Sequence, residues 1–297
     1  MGKQRGSESI VSAFVRLTRA EHSVMLALAV IAAEIIAIGR VPGYGLLVLS
    51  IIPPILISMG AFAINDYFDI SIDRANGKKR PLVTGVIKPK GALRITAMVF
   101  FLGIAASAFV NWAAFVIAVI FAALAYLYSY RLKHIPLLGN VYIAFTMVIP
   151  FIYGNYAVSY ALSATIVFIS FVVFLSGLAR EIHGMVRDYD GDVHAGRIRN
   201  VVFYIGKPRS SQLAFILYIE AILISVFMFF FSVPFRLNLA YAVPIAAVDI
   251  MLAYVAVGYV LGRHSEGFFK LSRNLSLGAM ALAIIAYLIA GLVFLPI

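Results

Sequence analysis

The chain has no cysteine, a single tryptophan and few charges, with Asp, Glu, Lys and Arg together making up 12% of its residues. The missing thiols exclude disulfides, thiolate metal centres and cysteine nucleophiles. The scarcity of charge is set against 63% hydrophobic residues and a mean hydropathy of +1.00. That is far more apolar side chain than a soluble core of 297 residues would use. Alternating short strands, the mark of a membrane β-barrel, are missing as well, as are low-complexity tracts. The five histidines show no metal-ligand spacing and are expected at membrane interfaces.

What is present is an all-α, polytopic membrane protein. Nine apolar runs, roughly residues 22–39, 46–68, 91–110, 112–130, 137–155, 160–179, 211–233, 238–261 and 275–295, each approach the length an α-helix needs to cross the hydrocarbon. Residues 1–21 precede them, with Ile10, Val11, Phe14, Val15 and Leu17 alternating with Ser9, Ser12, Arg16 and Arg19, a pattern that suits a short interfacial helix. A cleaved signal peptide fits poorly, because the first run contains Glu34 and ends without a small-residue cleavage site. The remainder, 22–297, reads as a single transmembrane domain with polar cap loops at about 74–90 and 191–210.

Sidedness follows from the bases. Of 24 Lys and Arg, 22 fall in the N-terminal segment and alternate connections, leaving only Arg40 and Arg236 on the other side. The N-terminus is therefore expected in the cytoplasm and the C-terminus outside. The net charge of +11 is spread over separated loops without a recognition module, so it does not indicate nucleic-acid binding.

Two acid clusters stand at the polar ends of apolar runs on the cytoplasmic side. In the first, Asn65, Asp66, Asp69 and Asp73 fall within about a 100° arc of one helical face. In the second, Asp188 and Asp192 share a face with Glu181 two turns behind, while Asp190 points elsewhere into solvent. Acids at a membrane edge are functional candidates. Oxygen ligands at i, i+4 and i+8 suit a hard divalent cation, above all Mg²⁺. Two facing stripes would hold two ions bridged by a diphosphate. Such a polyanion would also need cations, for which Lys79, Arg80 and Lys133 are the candidates, whereas Arg74, Lys88 and Arg197 serve topology. Solvated helix ends with weak loop salt bridges are the plain alternative. Gly77, Pro81, Gly85 and Pro89 make the loop after the first cluster a structured one.

Tyr67, Phe68, Tyr126, Tyr128, Tyr130, Tyr142 and Tyr153 could pack or could steady a carbocation with their ring faces. Glu34, Glu220 and Asp249 lie well inside runs and suit interhelical hydrogen bonds. Read instead as midplane coupling sites, they give the alternative of an ion-coupled transporter.

The motifs Asn65-Asp66-x-x-Asp69-x-x-x-Asp73, Arg80-Pro81-Leu82-x-x-Gly85, Tyr128-Ser129-x-x-Leu132-Lys133 before Gly139-Asn140, and Asp188-x-x-x-Asp192 with Gly196 behind it together resemble the UbiA-type intramembrane prenyltransferases. The resemblance covers essentially the whole chain. It implies nine helices around a central cavity open sideways to lipid, in the cell membrane, with the active site facing the cytoplasm. It also implies transfer of a prenyl group from a polyprenyl diphosphate, with no obligate protein partner. Carried over by position, Asn65, Asp69, Asp73, Asp188 and Asp192 would hold two Mg²⁺ ions, Asp66 would support them, and Lys79, Arg80 and Lys133 would bind the diphosphate. Asp69, Asp188 and Lys133 would be the catalytic residues. The stretches 19–25 and 178–182 are most similar to the archaeal ether-lipid branch, whose acceptor is geranylgeranylglyceryl phosphate. An aromatic acceptor such as 4-hydroxybenzoate is the alternative. Gly184-Met185 replaces a Lys-Asp pair found in many relatives, which removes one acid near the second cluster.

Overall fold

A computed structural model describes residues 9–20, 23–194 and 200–294, with 191–194 described by backbone alone. The described chain is helical throughout: α1 (Ile10–Thr18), α2 (Ser23–Ile38), α3 (Tyr44–Phe68), α4 (Ile70–Ala75), α5 (Pro81–Thr84), α6 (Pro89–Val110), α7 (Trp112–Tyr130), α8 (Leu138–Val158), α9 (Ala164–His194), α10 (Val201–Phe231), α11 (Leu239–Val260) and α12 (Glu266–Val293). Eight of these are long and apolar enough to cross a membrane. The pair α1 and α2, bent by 47°, meets the same test only when taken together, which makes nine at most. By itself α2 has 16 residues and reaches only about 24 Å, short of the hydrocarbon thickness.

Three helices extend well past the apolar runs that announce them. The sixth run was expected to end at 179, yet α9 continues to His194 and carries the second acid cluster on its own last turns. The expected cap loop at 191–210 is correspondingly shortened. Asn200 caps α10 by accepting a bond from Phe203 N–H at 3.1 Å, and helix resumes there. Gly206, at φ 79°, breaks α10 just ahead of Pro208. Likewise α12 starts at Glu266, capped by Ser265, nine residues before its apolar run. The loop after the first cluster matches its punctuation: Gly77 and Gly85 take positive φ, while Pro81 and Pro89 open α5 and α6.

The chain divides into two compact units, Met1–Ala27 with Tyr44–Leu132, and Leu28–Gly43 with Lys133–Ile297. In the first unit, α1 buries Ala13 and Leu17 against Ala63 of α3, Leu82 of α5 and Ala92 of α6. In the second, one core gathers Phe151, Phe235, Tyr241 and Tyr287, and another gathers Ile182, Val186, Tyr218, Tyr259 and Phe268. In lipid, such helices associate by close packing rather than by expulsion of water, so small residues matter at contacts. A Cβ on Gly154 of α8 would stand 2.5 Å from the Val30 carbonyl oxygen of α2, so only glycine allows that approach.

Candidate active site

The first acid cluster lies across the junction of α3 and α4. Asp69 leaves helical geometry (φ −92°, ψ 2°), but its N–H still bonds the Asn65 carbonyl at 3.0 Å, and Asp73 N–H bonds the Asp69 carbonyl at 2.8 Å. The stripe therefore continues through the break. Within it the side chains divide into two pairs. Asn65 and Asp69 are half-buried and linked, Asn65 Nδ2 donating to Asp69 Oδ2 at 3.0 Å. Asp66 and Asp73 are each 2% exposed.

A carboxylate buried this far requires charge compensation. Arg80 bonds Asp66 and also reaches Asp73 at 3.0 Å, Arg19 stands 3.4 Å from Asp66, and Lys78 lies 3.0 Å from Asp73. Local sequence explains how the loop returns: Pro81 fixes the first turn of α5 directly after Arg80, and Gly85 closes it in the left-handed region. Arg16 donates to the Lys79 carbonyl and so ties α1 to the same loop. Lys79 itself is exposed. Nearby, Phe68 lies 5.8 Å from both Tyr126 and Tyr130, and those two rings stack at 6.1 Å.

In the second unit, α9 places Arg180, His183, Gly184, Arg187 and Asp188 along one wall of a cavity of about 420 Å³. Lys133 and Asn140 also line it, with Tyr218 of α10, Tyr259 of α11, and Ser272, Arg273 and Ser276 of α12. Arg187 forks onto Asp188 with two bonds of 2.7 Å. Arg180 stands 3.5 Å from Glu181, whose second oxygen accepts from Asn140 at 3.4 Å. Four cations, Lys133, Arg180, Arg187 and Arg273, thus face two carboxylates, Glu181 and Asp188. A cavity with that surplus attracts polyanions.

Asp190 is exposed and bonds Lys207 at 2.7 Å. The backbone of Asp192 continues α9, while its side chain lies outside the described residues. Beside the Asp190 pair, His264 is held below the ordinary imidazole pKa by desolvation and by the Lys207 ammonium, with Asp190 acting the other way.

A sequence model of the UbiA prenyltransferase family matches residues 24–278, a range that contains both acid clusters and the cavity. The chain belongs to this family. A digeranylgeranylglyceryl phosphate synthase from Archaeoglobus fulgidus is 30% identical over 95% of this chain and 96% of its own length. A solved structure from work on digeranylgeranylglyceryl phosphate synthase in membranes superposes with a TM-score of 0.78 at 26% identity, covering 95% of this chain and 98% of that one. A UbiA homolog from Archaeoglobus fulgidus, solved with GPP and Mg²⁺, has the same fold (TM-score 0.70, 20% identity, 96% and 100% covered). The protein is accordingly an integral membrane prenyltransferase of the UbiA family.

Within this UbiA chain, sequence reasoning found the acids and the loop after the first cluster but missed most of the second unit's cavity wall. In the sequence Arg187 and Arg273 register only as markers of sidedness, and Tyr218 carries no signal of its own. His183, expected at a membrane interface, is 4% exposed and stacks on Tyr259 at 3.7 Å. One signal was available: Arg180-Glu181 is a charged pair directly after an apolar run, where intramembrane charge marks function. Another was the polar i, i+4 pair Ser272 and Ser276 on α12. Of the three acids expected inside spans, Asp249 accepts from Ser225 of α10 at 2.7 Å, an interhelical bond. Glu34 is fully buried and Glu220 is exposed.

Proposed function

We propose that the protein transfers a geranylgeranyl group from geranylgeranyl diphosphate to geranylgeranylglyceryl phosphate and releases diphosphate. The observation that carries this reading is the likeness, over nearly the full length of both chains, to digeranylgeranylglyceryl phosphate synthase. The cation surplus around Asp188 supports it, since both substrates are anions.

The donor set fits a divalent ion of the magnesium type. Asn65, Asp69 and Asp188 offer oxygen alone, and Asn65 and Asp69 are already in contact. Among the described residues no three acid or imidazole side chains converge on one point. That suits Mg²⁺, which takes one or two carboxylates and fills its octahedron with water and phosphate oxygens. Asn65 and Asp69 would hold one ion, and Asp188 with Asp192 a second, while Asp73 stays paired with Arg80 and Lys78. Such ions would neutralise charge on the departing diphosphate.

The remaining steps belong to the side chains. Lys79 and Lys133 bind diphosphate oxygens, and fixed positive charge favours the state in which the leaving group has gained an electron pair. Arg80, held between Asp66 and Asp73, fixes the cap loop and adds to that field. The C1–O bond of the allylic diphosphate breaks, with its electron pair leaving on the diphosphate. The acceptor's free hydroxyl oxygen bonds C1, and its proton passes to a diphosphate oxygen. The rings of Phe68, Tyr126 and Tyr130 offer π-faces to the allylic cation. Residues 22–297 make up the catalytic domain, in the cell membrane, with the helix ends that carry the acids on the cytoplasmic side.

The test incubates purified protein with labelled geranylgeranyl diphosphate and Mg²⁺, adding geranylgeranylglyceryl phosphate or 4-hydroxybenzoate in separate reactions. The expected product is the doubly prenylated glyceryl phosphate, lost on chelation and in both Asp69→Ala and Asp188→Ala. Transfer to the aromatic acceptor alone, or full activity in both variants, would refute the reading.

A further inference from the structure

The cavity beside Asp188 has two chemically different ends. Arg187 and Asp188 form one. Arg180 lies eight residues earlier on α9, about 12 Å away along the helix axis. At the Asp188 end the guanidinium of Arg187 is occupied by its fork on the carboxylate. At the other end Arg180 stands 3.5 Å from Glu181 through one terminal nitrogen, which leaves its Nε without a partner. Arg180 Nε, Tyr218 Oη and both ring nitrogens of His183 are buried and have no hydrogen-bond partner among the described residues. Tyr218 is 1% exposed and His183 4%. Buried polar atoms without partners are rare, and several lining one cavity point to a ligand that completes them.

A diphosphate, whose phosphorus atoms share a single bridging oxygen, is short against the rise of about 12 Å between the two ends. The open donors at the Arg180 end thus point to a second anion. We propose that Arg180, Tyr218 and His183 form a phosphate subsite that holds the headgroup of a phosphorylated acceptor, apart from the diphosphate at Asp188. Arg180 and Tyr218 donate to the phosphate oxygens, and the protonated nitrogen of the His183 ring adds a third donor. The cavity wall is open at Gly184, where an added Cβ would meet nothing within 4 Å. In a glyceryl phosphate lipid the free hydroxyl sits beside the phosphorylated carbon, so a phosphate anchored at Arg180 keeps that hydroxyl in the same cavity as Asp188. The identity of the acceptor rests on the proposed function; the existence of the subsite does not.

The experiment measures direct binding and steady-state kinetics for wild type, Arg180→Gln and Tyr218→Phe. The probes are geranylgeranylglyceryl phosphate, the same lipid without its phosphate, inorganic phosphate, and geranylgeranyl diphosphate. Tyr218→Phe removes only a hydroxyl that no described residue engages, so its fold should persist even if Arg180→Gln proves unstable. The expected result is a roughly tenfold weaker affinity for the phosphate lipid in Arg180→Gln, the loss typical of a charged hydrogen bond, and a several-fold loss in Tyr218→Phe. The KM for the acceptor should rise in step, the dephosphorylated lipid should bind all three proteins equally, and the KM for the donor should stay within about twofold. Inorganic phosphate that competes with the lipid in wild type alone marks the headgroup as the recognised part. Equal weakening of donor and acceptor in the variants would overturn the proposal by showing one shared anion site, as would unchanged acceptor affinity in both. Arg180-dependent binding without any prenyl transfer would overturn the proposed function and leave the subsite standing. Transfer with an unchanged acceptor KM would do the reverse.

Discussion

Replacing Arg80 with alanine tests whether the cap loop is held by charge. Arg80 compensates two carboxylates that are each 2% exposed, while its own side chain is 24% exposed. Stranding a buried charge costs about 3–5 kcal/mol when nothing else compensates it. Here Arg19 remains 3.4 Å from Asp66 and Lys78 remains 3.0 Å from Asp73. The expected loss is therefore smaller, about 2–3 kcal/mol, after allowing for the partners that stay and for solvent screening of the arginine. At about 2–4 °C per kcal/mol this lowers the melting temperature by about 4–12 °C. The assay is thermal unfolding in detergent micelles for Arg80→Ala, Asp66→Asn and the double variant. If the ion pair holds the loop, the double variant is more stable than the sum of the single losses predicts, because a neutral amide in place of the Asp66 carboxylate no longer needs a cation. Strict additivity would refute the reasoning. So would an Arg80→Ala protein that melts like wild type and differs only in diphosphate affinity, since Arg80 would then act as an anion ligand and not as a structural one.

Gly154→Ala should cost about 1–3 kcal/mol, because its methyl would press on the Val30 backbone, which cannot rotate away; thermal unfolding reads the loss. His264 titrates with a predictable sign. Its folded pKa lies below the unfolded value of about 6.5, so the stabilisation is present above that value and is lost as pH falls toward the folded pKa. A His264→Gln protein should lack that part of the acid sensitivity of unfolding. The absence of cysteine makes single-cysteine labelling clean: Asn76→Cys should react with an impermeant maleimide only in inverted vesicles, and Ala161→Cys only in right-side-out ones. The opposite pattern would reverse the topology.

The spans and the cap loop after the first cluster were legible because lipid demands long apolar runs and because glycine and proline restrict the backbone locally. The acid stripe was legible from period alone, since the i→i−4 bonds survive the irregular Asp69. Helix ends were less so. The projecting turns of α9 are polar and those of α10 and α12 mix apolar with polar residues, so none of these runs is long enough to mark a helix that projects beyond an apolar span. Partners of charges were not legible at all. That Arg80 returns to Asp66, or that His183 stacks on Tyr259, depends on how distant segments pack, and sequence spacing carries no such information. For the same reason Arg180, Arg187 and Arg273 read in sequence as markers of sidedness, although they line one cavity.

The division within the first cluster leads to the sharpest separation of roles. Its four oxygen-bearing side chains share a stripe, so spacing alone would assign all of them to metal. Burial and partners separate them. Asp66 accepts from Arg80 and stands close to Arg19, which leaves little capacity for a cation without exposing two guanidiniums to its charge. Asp69 is half-buried beside the Asn65 amide. Converting Asp69 to Asn keeps one carbonyl oxygen but removes the negative charge a hard ion requires. Asp69→Asn should therefore raise the Mg²⁺ concentration needed for half-maximal prenyl transfer by about tenfold or more, the scale of one charged contact, and leave the melting temperature nearly unchanged. Asp66→Asn should lower the melting temperature and leave the Mg²⁺ requirement of the remaining activity as it was. Metal titrations and melting curves on the two variants decide the matter. A raised Mg²⁺ requirement in Asp66→Asn with an unaltered one in Asp69→Asn would mean that the ion binds among the arginine-paired acids, and that Arg80 and Arg19 must move aside to admit it.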